Sequence, residues 1–216
     1  PSIFFSRGPG DVMDMAAWDF RGGQLTQRFT WTSRGKSFPN NGRWIDFHAV
    51  RALDLDGDGL DEVSWGLNAL DDDGTPLYAA ETDVGHGDRF QIGDFDPTRP
   101  GLEGFAIQQD NANYLGAVIF DATTGQVLHR QYLSAIGDVG RGDANDIDPN
   151  SLGVELYSYT NDTVWRVDGT AASTGGIPTP PSLGIWWDGD LSREAFQGIG
   201  ASGFNPAINK WNVASH

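Results

Sequence analysis

The chain has no cysteine among its 216 residues, so neither a disulfide framework nor thiol chemistry belongs to it. That suits a secreted protein stapled by metal ions instead of disulfides, and equally a cytosolic one. Basic residues are scarce: 14 Lys and Arg stand against 30 Asp and Glu, and only two of the 14 are lysines. The resulting net charge of −16 argues against nucleic acid as a partner, because binding phosphates needs clustered Lys and Arg. No apolar run approaches the roughly 20 residues that span a bilayer, so no membrane partner is expected. No secretory leader is visible, and Pro1 reads as the start of a mature chain or of a fragment.

Long stretches of helical periodicity are also missing. What replaces them is glycine (29 residues), aromatics (12%) and short β-rich runs between turn signals. The runs are Phe29–Thr32, Val63–Trp65, Gly116–Phe120, Gln126–His129, Val154–Tyr159, Thr163–Val167 and Leu183–Trp187. The expectation is an all-β fold, and the length fits one domain over residues 1–216.

The acid excess is patterned. Asp54-Leu-Asp56-Gly-Asp58-Gly-Leu60-Asp-Glu62 puts oxygen ligands at every second residue, glycines at the turns and a carboxylate at the end. A short loop wraps calcium in this way, because the ion takes about 6–8 oxygens. The side chains of Asp54, Asp56, Asp58 and Glu62, with the Leu60 carbonyl, are the expected ligands. The spacing returns in Asp94-Phe-Asp96 closing at Glu103, in Asp146-Ile-Asp148 closing at Glu155, and in the shorter Asp188-Gly-Asp190 followed by Glu194. Asp94, Asp96, Glu103, Asp146, Asp148, Glu155, Asp188 and Asp190 are therefore candidate ligands of further calcium ions.

A second repeat interleaves with the first. Trp18-Asp19, Leu70-Asp71, Phe120-Asp121 and Val167-Asp168 each run into a glycine turn, and Trp211-Asn212 can begin a fifth copy. One unit is then an acidic loop, two strands, an Asp/Gly hairpin and a return strand, repeating every ~40–50 residues. That period predicts a β-propeller with about four blades in this chain. The rest of a propeller, or a second copy, would be needed to close it. A β-sandwich or β-solenoid carrying the same loops is the alternative.

Taken in order, the segments resemble the rhamnogalacturonan lyases of polysaccharide lyase family 11. The resemblance rests on Ala17-Trp-Asp-Phe-Arg-Gly-Gly-Gln-Leu-Thr26, on His48 ahead of the first acidic loop, and on Gly85-His86-Gly87-Asp88. It continues through Gly93-Asp94 to Glu103, Asp138-Val-Gly-Arg141-Gly142, Asp146-Ile-Asp-Pro149 and Ile185-Trp-Trp-Asp-Gly-Asp190. It implies an eight-bladed propeller, of which this chain would be about half, with several bound calcium ions. It also implies calcium-dependent β-elimination of rhamnogalacturonan I, an acidic polysaccharide of the plant cell wall, and hence a secreted enzyme. The positions carried over to catalysis are His48, His86 and Arg141. One departure stands out: the family's site lysine, expected shortly before a Lys-Trp-Asn-like segment, has no counterpart in Gly203–Ala207, although Lys210-Trp211-Asn212 is present. The partner tyrosine implied by a later blade would lie beyond His216. The alternative function is therefore a non-catalytic carbohydrate-binding or structural calcium-stapled module.

The residues alone leave duller readings open. His48 can be a half-buried strand residue bonded to a carbonyl, His86 a turn residue, and Arg141 an ion-pair partner of Asp138 or Asp143. His129 reads as structural and His216 is terminal. Trp186 and Trp187, neighbours on an expected strand, are assigned to packing, with sugar stacking by one of them as the alternative.

Overall fold

A computed structural model describes residues 2–7, 12–36, 47–179, 181, 183–197 and 206–215. It is all-β, in five antiparallel sheets whose strands follow one another in chain order. The first sheet holds β1 (Ser2–Arg7), β2 (Asp14–Arg21) and β3 (Gln24–Thr32). The second holds β4 (Arg51–Leu53), β5 (Glu62–Trp65), β6 (Asn68–Leu70) and β7 (Pro76–Tyr78). The third holds β8 (Phe90–Gly93), β9 (Glu103–Ile107), β10 (Leu115–Asp121) and β11 (Val127–Tyr132). The fourth holds β12 (Gly142–Asn145), β13 (Glu155–Ser158), β14 (Val164–Arg166) and β15 (Ala171–Ser173). The fifth holds β16 (Gly184–Ile185), β17 (Glu194–Gln197) and β18 (Ala207–Lys210). Among the described residues, no helix is long and apolar enough to cross a membrane.

Strand β10 is apolar from Leu115 to Phe120 because both of its faces are covered. In β10, Val118 and Phe120 join one core cluster with Trp31, Val63, Trp65 and Phe90, while Ala117 and Ile119 join a second with Phe105, Ile107 and Leu156. Alternation is thus preserved, but between two cores instead of core and solvent. Burying a side chain such as Phe120 contributes about 2 kcal/mol. A third, smaller cluster gathers Ile147, Tyr157 and Val164, with Trp211 packed against it.

Each Asp/Gly hairpin docks onto the sheet before it. A Cβ at Gly74 would lie 2.7 Å from the Phe29 ring, one at Gly125 2.4 Å from Tyr78, and one at Gly169 2.4 Å from His129. All three glycines have positive φ as well, so turn geometry and close approach both demand glycine. His129 lies within β11 as part of this contact, in keeping with its structural reading.

Two expectations are corrected. The chain does not form a β-propeller: it makes five separate small sheets of three or four strands, none of them closed. The hairpin and loop spacing reports strand order within a sheet, and it carries no information on how sheets assemble. The Trp pair is not core either. β16 ends at Ile185, and Trp186 and Trp187 follow it 55% and 67% exposed. Pro1, residues 203–205 of the lysine-free stretch, and His216 lie outside the described residues.

Candidate functional site

Three chain segments come together to place His48, His86 and Arg141. The first is anchored by the buried Phe47, which bridges in parallel to Gly87 and meets the Phe90 ring edge-on at 5.7 Å. The His48 amide donates to the Gly87 carbonyl at 3.4 Å. The second segment, Gly85-His86-Gly87-Asp88, is strapped along the end of β9: the Gln109 amide donates to the His86 carbonyl at 2.9 Å and the Ile107 amide to the Arg89 carbonyl at 3.0 Å. Gly87 has no room for a side chain, since a Cβ there would sit 1.9 Å from the Ile107 carbonyl oxygen. Its neighbours His86 and Asp88 are held in place by that contact. The third segment turns at Gly140, whose positive φ lets Arg141 project between β12 and the strand-like pairing of Gln109 with Asp138.

Asp88 is the centre of the group. Its Oδ1 lies 3.4 Å from His48 Nε2 and 3.9 Å from His86 Nε2, and its Oδ2 lies 3.8 Å from Arg141 Nη1. The two imidazoles meet edge to face with centroids 4.9 Å apart. His48, His86 and Asp88 also offer ligand atoms within 4.8 Å of one another, a set that can hold a divalent cation. An open cleft of about 640 Å³ is lined by His48, Ala49, Arg51, Asp88, Arg89 and Arg141. His48 and Arg141 are both half-exposed in it. All three residues carried over from the resemblance are therefore together, and Arg141 pairs with Asp88 and not with Asp138 or Asp143. Asp143 is instead buried against Gln91, and burial pushes its carboxyl up from the ordinary value.

Asp88, Arg51 and Arg89 were not singled out by sequence reading. Asp88 stood inside the quoted Gly-His-Gly-Asp motif, so its signal was present. The two arginines carry no local signal, because the cleft is made by residues from three segments. Lys36 lies elsewhere, over the Trp31 ring at 5.8 Å.

The acidic loops share one construction. Each joins the first two strands of its sheet and ends on a buried glutamate. Glu62 Oε2 accepts from the Leu55 amide at 2.5 Å, Glu103 Oε2 from Phe95 and Asp96 at 3.1 and 2.9 Å, Glu155 Oε2 from Ile147 and Asp148 at 3.0 Å each, and Glu194 Oε2 from Trp187 at 3.0 Å. The other oxygen, Oε1, is buried without a hydrogen bond in Glu62, Glu103 and Glu155, whereas that of Glu194 faces the Lys210 ammonium. Burial raises the carboxyls of Glu62, Glu103 and Glu155.

Beside them, Asp54, Asp56 and Asp58 bring their oxygens within 4.8 Å of one another. Asp54 folds its loop through the amides of Gly57 at 2.7 Å and Gly59 at 3.0 Å, and the Leu60 amide donates to Asp58 Oδ1 at 2.7 Å. In the second and third loops Asp96 takes Thr98 and Asp148 takes Asn150 in the same way, both at 2.9 Å from the amide. Asp94 and Asp146 line a neighbouring depression. The fourth loop differs. The Lys210 ammonium meets Asp188 at 2.6 Å, Asp190, and Glu194 Oε1 at 3.2 Å. Glu194 was outside the expected ligand set, although it closes its loop as the other glutamates do.

Orphaned buried carboxylate oxygens flanked by hard oxygen donors fit calcium by the chemistry of the donor set. Loop one gathers three aspartates beside such a glutamate, and loops two and three share the orphaned oxygen. In loop four a cationic side chain already faces the oxygens.

The chain is 38% identical to the rhamnogalacturonan endolyase YesW of Bacillus subtilis over 98% of its own length and 32% of the relative's. It is 36% identical to the rhamnogalacturonan exolyase YesX of the same organism, over 99% of its length and 35% of the relative's. The crystal structure of YesW superposes with a TM-score of 0.84 at 37% identity, covering 99% of this chain and 34% of that one. A Bacillus licheniformis rhamnogalacturonan lyase superposes with a TM-score of 0.83 at 36% identity, covering the same shares. The chain thus spans about a third of the length of these relatives. The family profile described as rhamnogalacturonan lyase family 11, C-terminal domain, matches residues 1–216, and the chain belongs to that family.

Proposed function

We propose that the protein carrying this chain is a secreted, calcium-dependent lyase that cleaves rhamnogalacturonan I of pectin by β-elimination at galacturonic acid. The single observation behind the reading is the convergence of His48, His86 and Arg141 on Asp88, with His48, Arg141 and Asp88 lining one open cleft. Arg141 presents a guanidinium where a uronate C6 carboxylate can be met, which lets charge developing at C5 spread into that group. His48, more exposed than His86 and oriented by Asp88, is assigned as the base. Its neutral imidazole takes the C5 proton. The C5–H electrons form the C4–C5 double bond, the C4–O4 bond breaks, and O4 leaves with a proton from an acid or water. Calcium, held by Asp54, Asp56, Asp58 and Glu62 and by the matching groups of loops two and three, would supply charge neutralisation and cross-linking of the loops.

The test is incubation of the complete protein with rhamnogalacturonan I in calcium, following the ultraviolet absorbance of the 4,5-unsaturated product. Steady product formation is expected. Binding of the polysaccharide without any unsaturated product would instead favour the carbohydrate-binding alternative.

A further inference from the structure

A second depression of about 460 Å³ adjoins the cleft, and Arg51 lines both. Its other polar walls come from the first strands of neighbouring sheets and the residues after them: Gln91 and Asp94, Asn145 and Asp146, then Trp186 and Arg193. Trp186 is 55% exposed and presents its indole at the wall of this depression. The Arg193 guanidinium stands 4.7 Å from its ring centroid and holds the indole in place. Arg51 has no carboxylate within ion-pair distance among the described residues; its Nη1 donates only to the Val50 carbonyl at 3.0 Å, and its guanidinium lies over the Phe90 ring. In a chain of net charge −16, this run of Arg141, Arg89, Arg51 and Arg193 along one groove is a local reversal of sign. Asp88, Asp94 and Asp146 interrupt it: Asp88 is already faced by Arg141, and the other two open the second and third acidic loops, where bound calcium would offset them.

We infer that the groove from the cleft to Trp186 is an additional binding stretch for the same uronate-containing polysaccharide, with Arg51 meeting a carboxylate and the exposed indole of Trp186 carrying an apolar sugar face. The occupant is fixed by charge complementarity and by the groove's continuity with the cleft. The inference rests on the proposed lyase reading. It goes beyond that reading by predicting a preference for long chains set far from the reacting bond.

The experiment compares kcat/KM on rhamnogalacturonan I polymer and on a short oligosaccharide of two disaccharide repeats, in the complete protein. Trp186→Ala should lower the polymer-to-oligosaccharide preference about tenfold, through KM, and Trp186→Phe should restore most of it. Trp187→Ala serves as control: Trp187 is more exposed than Trp186 but lies outside the groove, and its removal should leave the preference as in the parent. An unchanged preference in Trp186→Ala, or the same loss in Trp187→Ala, overturns the inference. Melting curves of each variant separate loss of fold from loss of binding. Absence of turnover in the parent would count against the lyase reading itself. In that case the affinity of the parent and of Trp186→Ala for the uncleaved polymer still decides the groove.

Discussion

At the residue scale, the site depends on contacts that leave no freedom. Gly87 separates His86 from Asp88, and a methyl group there would collide with the Phe47 ring and, more closely, with the backbone of Ile107, which cannot swing away. Gly87→Ala should therefore displace both neighbours and lower kcat by about 100-fold, because an ångström of misplacement costs that much. The check is product formation together with a melting curve, which should show the variant still folded; undiminished turnover would contradict the placement. His86 and Arg141 were legible because each stood in a short glycine-marked motif, and His48 because it precedes the first acidic loop. Asp88 was legible only as part of a motif, since nothing in its spacing distinguishes a central carboxylate from any other turn aspartate. Arg51 and Arg89 were not legible, because a cleft built from three segments has no signature in any one of them.

At the element scale, the acidic loops act as closures between the first two strands of a sheet. The glutamate that begins the second strand folds one oxygen onto the loop amides and leaves the other buried and unbonded in loops one to three. Burying a carboxylate in that way is unfavourable unless a cation compensates it. Excess chelator should accordingly lower the melting temperature, and Glu155→Gln should lower it in calcium while reducing the further drop caused by chelator. A melting curve that ignores chelator would remove calcium from the account. Loop four is expected to contribute little to this response, because Lys210 faces Asp188, Asp190 and Glu194. The loops and hairpins were readable as elements: Asp71 and Gly74, and Asp121 and Gly125, sit in the turns their spacing predicts. Trp186 and Trp187 were misread, since β-propensity favours a strand where the chain has already left one.

At the scale of the whole molecule, the first four sheets are linked by hairpins seated on aromatic or imidazole rings of the preceding sheet, and by cores shared across strands such as β10. Local signals set strand order but not the arrangement of sheets, which is why the expected propeller did not hold while the all-β class did. The acidic surface has a corresponding division of labour: carboxylates are concentrated in the loops, and arginines in the cleft and its adjoining groove. The central claim is that this cleft performs elimination chemistry. It is tested most directly by measuring unsaturated product from rhamnogalacturonan I with the complete protein and with its Arg141→Ala variant, both in calcium. Arg141 is half-exposed and makes no core contact, so its loss should leave the melting temperature near that of the parent. The account predicts that product formation falls by at least about 100-fold, the scale of one lost transition-state donor. A folded Arg141→Ala protein that cleaves at the parental rate would contradict it.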